Sequence, residues 1–158
     1  MLASGYDAML DLCSAIACAT PWLSTRGQRV LAAVVARQGR TGSVESFARD
    51  IGLTSRHQLA RLLRQEGLPQ LQELDAWIYT LARLADWETS RLSLCKRALS
   101  SSEDPANAYR RIQLLCGLRW SEARAIGFNH MLVRFAQRCR VAGAADGEAK
   151  THVDCGAA

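Results

Sequence analysis

Apolar residues along this chain recur at spacings of three and four and almost nowhere alternate. In "YDAMLDLCSAIA", residues 6–17, Met9, Leu10, Cys13, Ile16 and Ala17 share one helical side. After Pro21, "TRGQRVLAAVVARQG" predicts a helix that turns Val30, Leu31, Val34 and Val35 inward. "SVESFARDIG" reads as a short helix capped by Ser43, and past Gly52 and a brief turn comes a helix over 55–66. Pro69 restarts a long helix to about Ala85, with Leu71, Leu74, Trp77, Ile78, Leu81 and Leu84 along one side. A short helix over about 91–99 and another over 105–116 follow. A last helix from about Ser121 buries Ile126, Met131 or Leu132, and Phe135. With no alternating β-branched run and no hairpin turn, the expected fold class is all-α.

Shifted by fifty positions, the chain aligns with itself without a gap. Val44 falls on Leu94, Ala48 on Ala98, Leu59 on Tyr109, Arg61 on Arg111, Leu62 on Ile112 and Gly67 on Gly117. Thr54 falls on Asp104, and both are good N-cap residues. The glycines follow helical runs, where a C-terminal glycine takes positive φ. Duplication of one unit explains the agreement of caps, core and glycines.

Each unit is a short helix, a turn and a second helix, the helix-turn-helix pattern. In the first, Val44, Phe47, Ala48 and Ile51 are expected to face inward, and Leu59, Leu62 and Leu63 to anchor the second helix. Arg56, His57, Ala60, Arg61 and Arg64 are left outward, near the helix N-terminus where groove-reading residues belong. In the second unit Ala106, Asn107, Arg110, Arg111 and Gln113 take the outward places, with Tyr109, Ile112 and Leu115 as core.

Charge follows the same division. The net charge is +5 over 158 residues, and eighteen of the twenty basic residues are Arg, which suits bidentate contacts to phosphate and guanine. Residues 26–64 sum to +6 and 91–140 to +7, whereas the intervening 65–90 sum to −4. Two polyanion contacts joined by a non-contacting connector would be charged this way. The six cysteines form no CxxC pair, so no zinc site is expected, and a chain with a proper core and no export signal is not expected to carry a disulfide framework. Cys95 and Cys116 are expected to pack as small hydrophobes. "THVDC", at 151–155, gathers His, Asp and Cys in an otherwise inert tail. The three histidines are scattered, and no carboxylate pair, phosphate loop or Ser/His/Asp grouping stands out, so neither catalysis nor a cofactor is expected. Without a basic leader or an eighteen-residue apolar run, the expectation is a cytoplasmic chain that does not enter a membrane.

From about Arg26 to Phe135, roughly two-thirds of the chain, the sequence resembles the DNA-binding domain of the AraC/XylS family of bacterial transcription regulators. "RGQRVLAAVVARQGRTGSVESFARDIGLTSRHQLARLLRQEGL" follows that family's first unit, "QLQELDAWIYTLARLADW" its linker helix, and "YRRIQLLCGLRWSEAR" the end of its second unit. The resemblance implies two homeodomain-like helix-turn-helix subdomains on a long linker helix. The divisions are an N-terminal helical extension over 1–25, a first unit over 26–68, a linker over 69–86, a second unit over 87–140 and a disordered tail over 141–158. Too few residues precede the matching stretch for an effector-binding barrel, so the resemblance is to members made of the DNA-binding part alone. The second unit departs from the family's "IAxxxGF" signature and reads "LCKRALSSSEDPANAYRR". It is expected to bind more weakly or to touch only phosphates.

The resulting expectation is a sequence-specific regulator, monomeric or weakly dimeric, that sets two helices in successive major grooves roughly 34 Å apart. Arg56, His57, Arg61 and Arg64 would contact the first groove, and Asn107, Arg110 and Arg111 the second. The alternative is a helical interaction module with a degenerate helix-turn-helix. Its N-terminal helix would dock on RNA polymerase, a sensor protein or a second copy rather than join the core.

Overall fold

The computed structural model describes the backbone of residues 3–144 and the side chains of 11–115 and 117–140. Every regular element among them is a helix: α1 (Ala3–Ala19), α2 (Thr25–Ala36), α3 (Val44–Asp50), α4 (Arg56–Gln65), α5 (Leu71–Ser90), α6 (Leu94–Ser100), α7 (Pro105–Cys116), α8 (Trp120–Ile126) and α9 (Phe128–Ala144). The all-α expectation is met. None of these helices is long and apolar enough to cross a membrane.

Hydroxyl and carboxylate caps set the starts. Ser24, Ser43, Ser93 and Asp104 accept backbone N–H bonds at the heads of α2, α3, α6 and α7. The first correction lies at α4, whose cap is Ser55 rather than Thr54: Ser55 Oγ accepts from Gln58 N–H at 3.3 Å, and Gln58 Oε1 accepts from Thr54 N–H at 3.0 Å. That reciprocal pair resembles a capping box, and it delays the helix by one residue. Gly67 and Gly117 take φ of 68° and 66° after α4 and α7, as their places in the repeat predict.

α5 is the axis of the core. Leu74, Ile78, Tyr79, Leu81 and Leu84 are fully buried on it, and α1, α2, α7 and α9 all lie against it. The inner side of α1 is core, as the first of its two readings had it, although Leu12 and Ile16 are buried there while Ala17 faces out. An alanine has little surface to hide, so the larger Leu12 determines which side turns in. Met9 and Leu10 lie outside the described side chains.

Three further expectations are corrected. The helix predicted from Ser121 is two helices separated at Gly127, and Glu88 of α5 accepts the Phe128 N–H at 2.8 Å to cap the second. α5 continues to Ser90 and ends at Arg91 in the left-handed region, φ 56°. α9 runs to Ala144, beyond the expected limit at Arg140. Residues 145–158, with His152 and Cys155, lie outside the described residues.

A polar clasp around the buried ring of Tyr79 joins the two halves of the chain. The guanidiniums of Arg40, Arg83 and Arg111 lie 5.7, 5.0 and 4.6 Å from the ring centroid. Arg40 pairs with Glu103 at 2.6 Å, and the Tyr79 hydroxyl donates to the same carboxylate at 2.9 Å. Arg83 bonds Gln38 and Asp86, and Asp86 in turn takes Arg97 in two bonds. Three cations this close would repel, and Glu103, Asp86 and the ring's negative faces offset them. Burial, reinforced by Glu103, holds the Tyr79 phenol above its usual pKa, so it stays a donor. Beside it, buried Asp75 accepts from the Thr41 amide and hydroxyl. Desolvation raises its pKa against those two bonds.

Candidate nucleic-acid interface

α4 presents the most outward cationic side in the first half of the chain. Leu59, Leu62 and Leu63 are buried beneath it, each contributing about 1.5–3 kcal/mol of burial. Arg56, His57, Ala60, Arg61 and Arg64 are all exposed, where the sequence put them. Arg56 makes an ion pair with Glu45 of α3 at 3.5 Å, with both side chains more than half exposed, so water screens it heavily.

The helix is held at both ends. At its start the Ser55–Gln58 pair fixes the first turn. At its end the Glu66 carboxylate accepts both the amide and the hydroxyl of Ser24, the residue that caps α2. Gly27 lets this happen, because a Cβ there would meet the Glu66 carboxylate at 2.4 Å. The start of α2 and the middle of α4 thereby form a cleft of about 220 Å³ lined by Arg26, Gln58, Arg61 and Gln65. Arg26 is a cation that sequence reasoning did not assign to the site. Its helical phase says only that it is outward, and the Ser24–Glu66 contact that sets it beside Arg61 spans forty-two residues.

The second half differs. Asn107 and Arg110 are exposed on α7, and Arg110 reaches Asn107 Oδ1 at 3.5 Å. Arg111 is not outward: it is half-buried, donates to the Gly39 carbonyl at 2.6 Å and lies over Tyr79. Tyr109, expected in the core, is 41% exposed, and the buried side chains are Ala108 and Ile112 with Leu115 partly covered. Both corrections have one cause. Relative to the fifty-residue shift, Asp104 caps α7 one residue earlier than Ser55 caps α4. One residue is roughly 100° of helix, so the face that sinks into the protein is turned by about a quarter turn. Arg61 then lies roughly 150° from the middle of its helix's buried side, whereas Arg111 lies only about 65° away.

The remaining chemistry is sparse. Among the described residues no group of three or more His, Cys, Asp or Glu is placed to hold a metal. Cys139 is buried on α9, and desolvation pushes its thiol up to about 12. Cys95 is half-buried, Cys18 is exposed, and the Cys116 side chain lies outside the described residues. No family model matches this chain, nor does any curated protein or solved structure.

Proposed function

We propose that this protein is a bacterial, cytoplasmic transcription regulator of the AraC/XylS kind that binds a specific double-stranded DNA site as a monomer, without catalytic activity. α3 and α4 form the working helix-turn-helix unit, and α4 enters the major groove. The observation that carries the reading is the outward side of α4, where His57, Arg61 and Arg64 project from a helix whose leucines are sunk in the core. Arg61 and His57 contact base edges. Arg26, in the cleft beside Arg61, takes a backbone phosphate and sets the register.

α6 and α7 form the second unit, and it works differently from the first. With Arg111 committed to the Gly39 carbonyl, Asn107 and Arg110 are what this helix offers to DNA. They suit phosphate contact in the neighbouring groove rather than a second reading of sequence.

Selection of bound sequences from random duplexes tests this. The expected product is one well-defined box about half a helical turn long, flanked by a region without base preference. Affinity should fall steeply with salt, by about 0.9 in log–log slope per phosphate neutralised. Two equally sharp boxes would show that α7 reads bases after all. Failure to enrich any sequence would favour the adaptor reading. That reading has its own support in the exposed apolar side chains of the second unit, Leu114 at 80% and Leu99 at 63%.

A further inference from the structure

The cleft between the start of α2 and the middle of α4 holds more chemistry than its cations. Arg26, Gln58, Arg61 and Gln65 line it over Leu53 and Leu62, and no carboxylate stands among them. Glu66 lies nearby, but both of its oxygens accept from Ser24. Among the described residues, neither the Arg26 nor the Arg61 guanidinium has a hydrogen bond, an ion pair or a ring contact. Arg26 also stands in the first turn of α2, which holds no acidic residue, so its charge opposes the helix dipole there. A cation at an unfavourable place, with no partner inside the chain, points to a partner outside it.

Gln58 supplies the second observation. Its carboxamide meets the Thr54 N–H, which can only donate, so the atom 3.0 Å away is the oxygen Oε1. The other atom, Nε2, carries two N–H donors and has no partner among the described residues. Turning the carboxamide over would break the reciprocal cap of α4. Gln58, Arg61 and Gln65 follow at three and four residues, so they form one stripe of α4 along the cleft. At about 220 Å³ the cleft is smaller than the roughly 300–1,000 Å³ of sites that enclose a small molecule, so it suits one charged group of a larger ligand.

We infer that this cleft seats one phosphate group of a DNA strand, and that Gln58 of α4 holds it as a donor-only side chain across from Arg26 of α2. The inference rests on the regulator reading and deepens it. Arg26 brings the charge, and the locked carboxamide brings direction, because it offers the cleft N–H groups that only an acceptor can meet. The bond that caps α4 thus also aims a ligand-binding group, so helix start and DNA register are fixed by the same residue.

The test uses the full chain and the selected duplex carrying single methylphosphonates, each of which removes the charge of one backbone phosphate. In Q58E the carboxylate still accepts the Thr54 N–H near a helix N-terminus, so thermal stability should be kept while the donors are lost. Q58E and R26Q should each weaken binding to the unmodified duplex by about tenfold. One methylphosphonate position should weaken wild type similarly, and on that duplex all three proteins should bind within about twofold of one another. A Q58E penalty relieved equally at many positions would be diffuse repulsion, and it overturns the seat. So does a Q58E that binds like wild type, one that loses thermal stability, or a duplex in which no position couples to both variants. In each of these cases the chain still binds its duplex and the regulator reading stands. If no duplex binds, inorganic phosphate takes its place as the probe. Saturable NMR shifts of the Gln58 side-chain amide, absent in R26Q, would keep a phosphate site and remove the regulator reading; no such shifts would remove both.

Discussion

Arg61 and Arg111 stand at matching places in two helices that open on a cap and close on a left-handed glycine, yet their side chains have opposite fates. Arg61 lies in solvent beside Arg26. Arg111 is half-buried, bonded to a carbonyl seventy-two residues away and stacked on Tyr79. Moving the helix start by one residue changes which side of an unchanged pattern faces the core. Sequence repeats conserve spacing; they do not conserve azimuth. A residue's role in one copy therefore transfers to the other only if the caps also coincide.

The sharpest way to break the comparison is to remove what receives Arg111. Gly39 has φ of 68°, and a Cβ there would sit 2.1 Å from the Asp75 carbonyl oxygen and 2.6 Å from the Tyr79 nitrogen. Gly39→Ala should cost more than about 3 kcal/mol in chemical denaturation, since neither backbone atom can give way. Next, Arg61→Ala should weaken binding to the selected duplex by about 1–3 kcal/mol with little change in stability. Arg111→Ala should do the reverse. It loses a charged hydrogen bond and a ring contact, about 1–2 kcal/mol of stability, while duplex affinity of the folded protein is unchanged. If both arginines behaved alike in both assays, the contrast drawn between the helices would fail. Arg110→Ala should have a smaller effect, reducing the salt slope by about one unit without altering the preferred sequence.

The smallest effect concerns pH. Burial raises the Asp75 pKa, so the folded state holds that proton more tightly than the unfolded chain does. Its contribution to stability is complete below the ordinary carboxylate pKa and is lost as pH rises through the raised value. Asp75→Asn should therefore gain in relative stability from pH 3 to pH 7 in parallel denaturation series. A gain that appeared only on acidification would contradict the direction of that shift.

Much of the architecture was legible in the sequence because it follows from local periodicity. The leucines of α4, the valines of α2 and the long apolar side of α5 all carry a period that survives burial. What was not legible depended on single residues acting as punctuation. Thr54 and Ser55 are both good caps, and only Gln58, three residues after the serine, distinguishes them. Tyr109 was placed inward by analogy with Leu59, although Ala108 beside it was small enough to sit against another helix. The Arg40–Glu103, Arg111–Gly39 and Arg138–Glu73 contacts span more than sixty residues each, and no local pattern announces them.

The clasp at Tyr79 also has a mechanical meaning. Hydrocarbon surfaces tolerate a small slip, because one methyl neighbour is nearly as good as the next. A guanidinium aimed at a single carbonyl, and a phenol aimed at a single carboxylate, have less tolerance: a displacement of an ångström breaks a directional bond between partly buried groups. The two arms of the molecule are thus indexed to one another like teeth on a ratchet. A signal that altered their relative pose would have to release this lock before anything else could move.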